Sequence, residues 1–416
     1  MKKLFLLLFI VPLFIVGCDN NSSDYVTYEV NEPVFMPAAE FRNLIKVTTN
    51  VHELADYGKM CFYKGYLYIS EPGKGVHIVD NTNPANPKIT GYIEILGNYD
   101  LIVRNNVLYA DALIDLVWFD VSNPSSPVLK GRLEGAFPQA LPIICNEFGY
   151  DYGLVHSSVQ TGIIVDWKLA QRKERIESYD HDLIAENVHF GNSSSGGSNG
   201  AVGSMSRFGL YQDYLYTVVN NQMSVFNLTS ATPEKAIDDI PIGGDVETIF
   251  SYKDKMFMGT PTGMMIYSVE DPLNPTYCSF VWHITGCDPV VVEDDLAYVT
   301  IHSGNFCGAN NNELFIVDVS DVYHPRQLVS YTMTNPKGLG IDNGVLFLCD
   351  EGLKVFKVED PQTLMSSKLA HYEGMDGFDV IPFNNILMMI ADNGLYQYDY
   401  SEIDNIKEIS VLPIKK

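Results

Sequence analysis

The stretch His77–Pro87, HIVDNTNPANP, contains the pattern that decides the fold: an apolar run, an aspartate, and a turn built on Asn-Pro. β-branched residues such as Ile78 and Val79 favour a strand, and the Asn-Pro pair ends it because proline has no N–H to donate. The same pattern returns in VWFDVSNPSSP from Val117 and in LFIVDVSDVYHP from Leu314. A repeated strand-and-turn unit therefore organises the chain.

Eight copies of this unit occur, about 40 to 60 residues apart, which is typical of propeller blades. The residues at the position of the aspartate are Asp80, Asp120, Asp166, Asn227, Ser268, Asp318, Lys357 and Asp399. Two further β runs precede the clear copies, and one follows each turn, which gives four strands per unit. Because both faces of such a sheet must be buried, the sheets stack and close into a ring. The sequence predicts an all-β fold, a β-propeller of eight four-stranded blades, with seven blades as the alternative.

The N-terminus, MKKLFLLLFIVPLFIVGC, has two lysines, an apolar run and a glycine before Cys18. This order is typical of a secretory signal peptide, and the apolar run is shorter than the about 20 residues that a membrane-spanning helix needs. The Val-Gly-Cys ending resembles the lipobox of bacterial lipoproteins, in which this cysteine is acylated and becomes the new N-terminus. We expect a lipoprotein signal peptide at 1–17, a lipidated tether and lead-in at 18–50, and the propeller at 51–416.

The repeated phrases resemble the LVIVD repeat, a short motif found in tandem in secreted and lipid-anchored bacterial proteins. HIVDNTNPANP, WFDVSNPSSP and FIVDVSDVYHP carry this resemblance, while LYADALIDL, GSMSRF, GCDPVVV and GLYQYDY are similar to a group of such lipoproteins common in Bacteroidetes. The resemblance covers about residues 50–410. It implies a lipid-anchored β-propeller in the cell envelope, expected at the outer membrane with the propeller in the periplasm or on the cell surface. It implies no established reaction, so no catalytic residue is carried over.

Composition and motifs narrow the function classes. Asp and Glu outnumber Lys and Arg by 52 to 27, and a protein this acidic repels phosphate backbones, so nucleic acid is not an expected partner. The sequence contains neither an H-E-x-x-H motif nor a P-loop, and its G-x-S-x-G match at 196–200 lies in a Gly/Ser tract. We expect a monomeric binding or scaffold module without a cofactor, which contacts the membrane through its lipid and a protein or glycan partner. An envelope enzyme with its active site at the mouth of the central channel is the alternative.

Candidate ligand-binding residues lie where the inner strands begin, because propeller sites usually occupy the mouth of the central channel. Alignment of the units on their second strands places polar or small residues at these starts: Lys59, Asp100, Arg207, Thr248, Lys337 or Gly338, Asp379, and Asp288 with a shift of one residue. Mixed charge on a narrow ring could orient a small polar ligand or a cation. Pairing of these side chains with one another is the other interpretation.

Two more candidates are local. Asp111, Asp115 and Asp120 lie around one hairpin, where three carboxylates could bind Ca²⁺ or could instead cap turns. Cys287 opens an inner strand and Cys307 follows the next strand, so both are expected at one face of the ring. A disulfide between them would close a loop of about 20 residues and stabilise the fold by roughly 3 kcal/mol; two free thiols are the alternative.

Overall fold

The computed structural model describes residues 25–49, 53–146, 148–156, 162–175, 202–203, 206–219, 221–244, 246–283, 289–302 and 311–415. Within these residues, seven antiparallel sheets, six of four strands and one of six, pack side by side around a ring. The fold is therefore the predicted all-β propeller, and the alternative of seven blades gives the observed number.

Each blade is made of four consecutive strands, counted from the central channel outward. Blade 1 contains β3 (Met60–Tyr63), β4 (Tyr66–Glu71), β5 (Gly75–Asp80) and β6 (Lys88–Glu94); blade 2 contains β7 (Leu101–Arg104), β8 (Val107–Ala112), β9 (Asp115–Asp120) and β10 (Val128–Leu133). Blade 3 contains β13 (Phe208–Tyr211), β14 (Tyr214–Val219), β15 (Gln222–Asn227) and β16 (Glu234–Pro241); blade 4 contains β17 (Thr248–Tyr252), β18 (Lys255–Thr260), β19 (Gly263–Ser268) and β20 (Thr276–Trp282). Blade 5 contains β21 (Val290–Glu293), β22 (Leu296–Ile301), β23 (Glu313–Asp318) and β24 (Arg326–Thr332); blade 6 contains β25 (Leu339–Asp342), β26 (Val345–Cys349), β27 (Leu353–Lys357) and β28 (Lys368–Tyr372). Blade 7 contains β29 (Gly377–Phe383), β30 (Ile386–Ala391), β31 (Gly394–Asp399) and β32 (Lys407–Pro413).

Short elements decorate this ring. They are β1 (Tyr25–Met36), α1 (Ala38–Arg42), β2 (Lys46–Thr48), α2 (Tyr152–Val155), β11 (Ile163–Arg175), β12 (Val202–Gly203) and a 3₁₀ helix (Pro361–Ser367). Strand β2 extends the outer edge of blade 1, and β12 pairs with the innermost strand of the same blade. A piece of chain therefore lies on the channel side of blade 1.

The predicted unit at Ile163 is not a blade. Its strand, β11, pairs antiparallel with β1 along its whole length, in a two-stranded ribbon separate from the seven sheets. In the clear repeats the aspartate is followed by a turn, whereas Asp166 is followed by Trp167 and the strand continues to Arg175. Among the described residues, β11 pairs only with β1, the N-terminal strand, and not with a following strand.

The aspartate of the repeat caps the turn after the third strand. In blade 1 the Oδ1 atom of Asp80 accepts hydrogen bonds from the backbone N–H (3.0 Å) and the hydroxyl (2.6 Å) of Thr82. The same pair of bonds joins Asp120 to Ser122, Asn227 to Thr229 and Asp318 to Ser320. The repeated polar residue thus stabilises the turn in these four blades.

Tight hairpins join the first and second strands of the blades. Asn105 and Asn106 have φ of 49° and 62°, and Asn343 and Gly344 have φ of 49° and 74°. Two successive residues with positive φ form the turn whose twist matches that of antiparallel strands, and Asn and Gly adopt it most readily. These turns fix the register that places the start of each inner strand at the channel.

The apolar core lies between neighbouring blades. Tyr68 of blade 1 packs in one buried cluster with Phe119 of blade 2, and equivalent clusters follow around the ring. The cluster that includes Ile69 of blade 1 and Ile390 of blade 7 closes it. Across this closure the side chains of Asn81 and Gln397 exchange hydrogen bonds of 2.8 and 2.7 Å.

Candidate functional site

A cavity of about 210 Å³ opens where the inner strands of blades 1, 2 and 3 begin. Lys59, Asp100 and Arg207 immediately precede the inner strands β3, β7 and β13, and all three side chains line the cavity. The structure thus brings together three of the residues that the alignment of the repeats placed at equivalent starts.

The buried carboxylate of Asp100 forms an ion pair across blades 2 and 3 with Arg207, whose side chain is 21 % exposed. The Nε and Nη2 atoms of Arg207 lie 2.8 and 2.7 Å from Oδ2 of Asp100. The other oxygen, Oδ1, accepts hydrogen bonds from the Ser206 hydroxyl (2.8 Å) and the Arg207 backbone N–H (2.9 Å). Burial alone would raise the pKa of Asp100, but the charges of Arg207 and Lys59 hold it below its usual value.

Asp111, on β8, is the second carboxyl group of the cavity. Its Oδ1 atom accepts three hydrogen bonds, from the Asn98 amide (2.8 Å) and from the backbone N–H groups of Tyr99 (2.8 Å) and Asp100 (2.9 Å). Burial and the neighbouring Asp100 carboxylate raise the pKa of Asp111 to about 7, although the Arg207 charge opposes this. Near neutral pH both the protonated and the ionised form of this carboxyl group are therefore present.

Lys59 is also buried, with 6 % of its surface exposed. Burial lowers the pKa of its ammonium group to about 8, and the nearby carboxylates of Asp100, Asp379 and Glu247 oppose the shift. Since Lys59 lines the cavity, its ammonium group can contact a ligand bound there.

The rest of the cavity is apolar and aromatic. Side chains that line it include Tyr57, Tyr99, Leu113, Phe137, Leu141, Ile143, Phe208 and Phe378. Phe137, Leu141 and Ile143 belong to the segment between blades 2 and 3, outside the repeats, and the Phe137 backbone N–H donates to the Ile114 carbonyl (2.9 Å). Sequence reasoning missed this wall, because nothing in the repeat pattern predicts where an inserted segment folds back.

The remaining residues of the predicted ring lie elsewhere. Asp379 is fully buried on β29 and accepts a hydrogen bond from the Val380 backbone N–H (2.9 Å), and it does not line the cavity. Lys337 precedes β25 and pairs with Asp376 at 2.6 Å. Asp288 lies outside the described residues. The structure therefore places Lys59, Asp100 and Arg207 in one pocket. Lys337 and Asp379 do not line it.

The three carboxylates of the predicted calcium site have separate partners. Asp111 belongs to the cavity, while Asp115 is bound by Arg42 (2.9 Å) and Arg132 (2.8 Å). Asp120 lies at the other end of β9, where its bonds to Ser122 lower its pKa to about 2. The described part of the chain contains no group of three or more His, Cys, Asp or Glu residues arranged to bind a metal ion. Calcium binding at this hairpin stays a prediction without a shared set of ligands.

The predicted lipidation and disulfide sites lie outside the described residues, since these do not include Cys18, Cys287 or Cys307. No helix among the described residues combines the length and apolar character that crossing a membrane requires. Lipid anchoring and the disulfide therefore stay predictions.

Several solved structures resemble this chain. Hsv2 of Kluyveromyces marxianus is 9 % identical with a TM-score of 0.47, covering 87 % of this chain and 98 % of that one. Hsv2 of Kluyveromyces lactis is 10 % identical with a TM-score of 0.47, covering 86 % and 97 %. PorZ, a surface component of the type-IX secretion system of Porphyromonas gingivalis, is 11 % identical with a TM-score of 0.46, covering 88 % of this chain and 39 % of PorZ. Similarities this low support no inference about activity, ligand or partner.

Comparison with curated proteins gives no match. The LVIVD repeat family model matches residues 61–94, 90–134 and 289–333, which correspond to blades 1, 2 and 5. These matches cover less than a third of the chain. The chain therefore contains LVIVD repeats, which are typical of β-propeller proteins.

Proposed function

We propose that this protein is a lipid-anchored binding module of the cell envelope that binds a small ligand, or the end of a protein or glycan chain, in the cavity of blades 1 to 3. The observation that carries the proposal is the cavity itself, in which buried charged groups meet an aromatic wall. Concave, mostly apolar sites with a few converging polar groups are typical of ligand-binding pockets. Burial of charged groups costs free energy, and such sites are often functional.

The anchor in this proposal is Cys18. It is supported by the N-terminal sequence and by the resemblance of the repeats to lipid-anchored bacterial proteins. Acyl chains on this cysteine would hold the propeller at the outer membrane, in the periplasm or on the cell surface, as a monomer. The net charge of −25 argues against nucleic acid as the partner.

An envelope enzyme is the second candidate, and one observation favours it. Asp111 and Lys59 line one cavity with pKa values of about 7 and about 8, close to the range in which general acids and bases work. Chemical conversion of a bound compound, detected by mass spectrometry and lost in Asp111→Asn, would favour this candidate. Recovery of the bound compound unchanged would favour the binding module.

Filling the cavity tests the proposal. The probes are 3-phenylpropionate, 3-phenylpropan-1-ol, 3-phenylpropylamine, glucose and N-acetylglucosamine, each added to the full-length protein. We expect at least one to raise the melting temperature by about 2–5 °C at saturating concentration. Ala140→Phe, in the cavity lining, should abolish this rise because the new ring occupies the ligand's space.

The matched control is Ala85→Phe, at an exposed turn of blade 1. This variant should keep the full ligand-induced rise, which separates loss of the cavity from the general effect of an added aromatic ring. The proposal fails if no probe stabilises the protein, or if Ala140→Phe, folded with a normal melting temperature, still responds as the wild type does.

A further inference from the structure

The Asp100–Arg207 pair of the cavity can donate hydrogen bonds to a ligand but can accept few. Both oxygens of Asp100 are occupied, by Arg207 and Ser206. Arg207 uses Nε and Nη2 in this pair, so among the described contacts its Nη1 group keeps two N–H donors. The Asp100–Arg207 pair can therefore still donate to a ligand, but it has little capacity to accept.

Asp111 adds a donor. Its three hydrogen bonds all reach Oδ1, and within the described residues Oδ2 accepts none. When this carboxyl group is protonated, the proton resides on Oδ2, because Oδ1 already faces three N–H groups. The cavity then presents a hydroxyl donor beside the guanidinium group of Arg207.

Lys59 contributes a positive charge to the same cavity. The charged groups that act on Lys59 and Asp111 come from several blades: Asp100, Arg207, Glu247 and Asp379, with Asp56 exposed at the rim of the cavity. Glu247 and Asp379 oppose the loss of the Lys59 charge but do not line the cavity. The charged lining of the cavity therefore consists of Lys59, the Asp100–Arg207 pair and Asp111, with the Asp56 carboxylate at the rim.

We propose that the ligand is an organic monocarboxylate whose carboxylate group accepts hydrogen bonds from Arg207, Lys59 and the protonated Asp111. Hydrogen bonds between charged partners are about twice as strong as neutral ones, so an anion matches this set of donors better than an alcohol. A cationic amine matches it worst, because donors would face donors. This inference rests on the proposed binding function and names the class of ligand.

The size of the cavity limits the body of the ligand. An apolar protein cavity of about 150 Å³ binds benzene, and the present cavity measures about 210 Å³. A phenyl-sized group with a short acid chain therefore fits. Tyr57, Tyr99, Phe137, Phe208 and Phe378 supply the wall against which such a group would pack.

Binding of a carboxylate is coupled to a proton. The negative charge of a bound carboxylate disfavours ionisation of Asp111, so the complex holds the Asp111 proton more tightly than the free protein does. Since burial already raises the pKa of Asp111 to about 7, affinity for a carboxylate should fall as pH rises above 7, by up to about tenfold per pH unit.

Calorimetric titration of the full-length protein with three probes of the same body tests this proposal. At pH 6.5 we expect 3-phenylpropionate to bind at least about tenfold more tightly than 3-phenylpropan-1-ol, and 3-phenylpropylamine to bind most weakly. Between pH 6.5 and 8.5 the affinity for the acid should fall, with proton uptake visible as a dependence of the binding enthalpy on the buffer. Asp111→Asn, which keeps a donor at this position, should retain binding and lose the fall in affinity that begins near pH 7, while the fall that begins near pH 8 remains because the Lys59 ammonium group loses its charge there.

Asp404→Asn, which removes an exposed carboxylate in a turn of blade 7 outside the cavity lining, is the matched control and should change the affinity less than about twofold at every pH. If the alcohol or the amine binds as tightly as the acid, and Ala140→Phe abolishes that binding, the carboxylate inference is wrong while the proposed function stands. If the acid binds but Asp111→Asn keeps the full pH dependence, the role of Asp111 is wrong. If none of the five probes binds, the proposed function fails as well.

Discussion

Two regions of the ring have charged residues at the start of an inner strand, but the ion pairs of these residues differ in their exposure to solvent. At blades 2 and 3, Asp100 is 1 % exposed and bonds to Arg207 and Ser206 inside a cavity. At blades 6 and 7, Lys337 pairs with Asp376, whose side chain is 57 % exposed beside an open, acidic depression. The repeat gives both regions the same position, so the covering chain accounts for the difference.

The covering chain is the segment between blades 2 and 3. Phe137, Leu141 and Ile143 form part of the wall of the cavity, whereas the short connections of blades 6 and 7 leave the equivalent region open. Exclusion of water lowers the local dielectric constant and strengthens every charge interaction inside the cavity. A buried pair is then costly to break, and a solvent-exposed pair contributes little.

Asp100→Ala should produce the largest effect. Removal of this buried carboxylate takes the ion-pair partner from Arg207, whose side chain is only 21 % exposed, and the acceptor from the Ser206 hydroxyl, so we expect the free energy of unfolding to fall by about 3–5 kcal/mol. Urea unfolding followed by tryptophan fluorescence measures it. A loss below about 1 kcal/mol would mean that water reaches this pair as freely as it reaches the exposed one.

Asp111→Asn should produce a smaller effect that depends on pH. The pKa of Asp111 is raised to about 7 in the folded protein, so between the usual value and pH 7 the folded state binds the proton that the unfolded state has lost. Wild-type stability therefore decreases relative to the variant as pH rises through this interval, by a total of about 2–4 kcal/mol.

Unfolding curves of both proteins at pH 4, 6 and 8 test this sign. Because asparagine keeps an oxygen for the three N–H donors, the two curves should nearly coincide at pH 4 and separate at pH 8, with the variant the more stable. Equal stabilities at all three values would contradict the raised pKa.

Asp376→Ala should produce the smallest effect. The carboxylate that is removed is 57 % exposed, so water already weakens the pair, and we expect the free energy of unfolding to change by less than about 1 kcal/mol. This small loss should shrink further in 1 M salt, where exposed charges are screened within about 3 Å. A loss as large as that of Asp100→Ala would show that the blade 6 region is less open to solvent than its exposure indicates.

The sequence predicted the local parts of this fold well. The strands of the repeat and the turns that Asp80 and Asp120 cap all follow from neighbouring residues. The same regularity allowed Lys59, Asp100 and Arg207 to be aligned before their contacts were known. Their shared cavity could be anticipated because equivalent positions of stacked blades lie at one end of the ring.

The unit at Ile163 shows where this reasoning failed. Its apolar run and aspartate match the repeat, yet its strand pairs with β1, more than 100 residues away in the chain. An apolar strand pattern predicts that a segment forms a β-strand, but it does not identify the strand with which this segment pairs. The main prediction of eight blades was therefore one too high, and the alternative of seven gives the correct count for the described residues.

Asp111 illustrates a second limit. Its grouping with Asp115 and Asp120 followed from closeness in sequence, but the three carboxylates bind different partners in space. Its role in the cavity depends on Asp100 and Arg207, and on the segment between blades 2 and 3 that lines the same cavity.

The sequence by itself determined the repeated four-stranded unit, because strand alternation and turn residues act over a few neighbouring positions. The prediction of a lipid anchor at Cys18 also rests on the sequence alone. The tertiary structure decided the number of blades, the pairing of β11 with β1, and which charges became buried. These depend on contacts between distant segments, and burial sets the strength and the pKa of a charged group only after those contacts have formed.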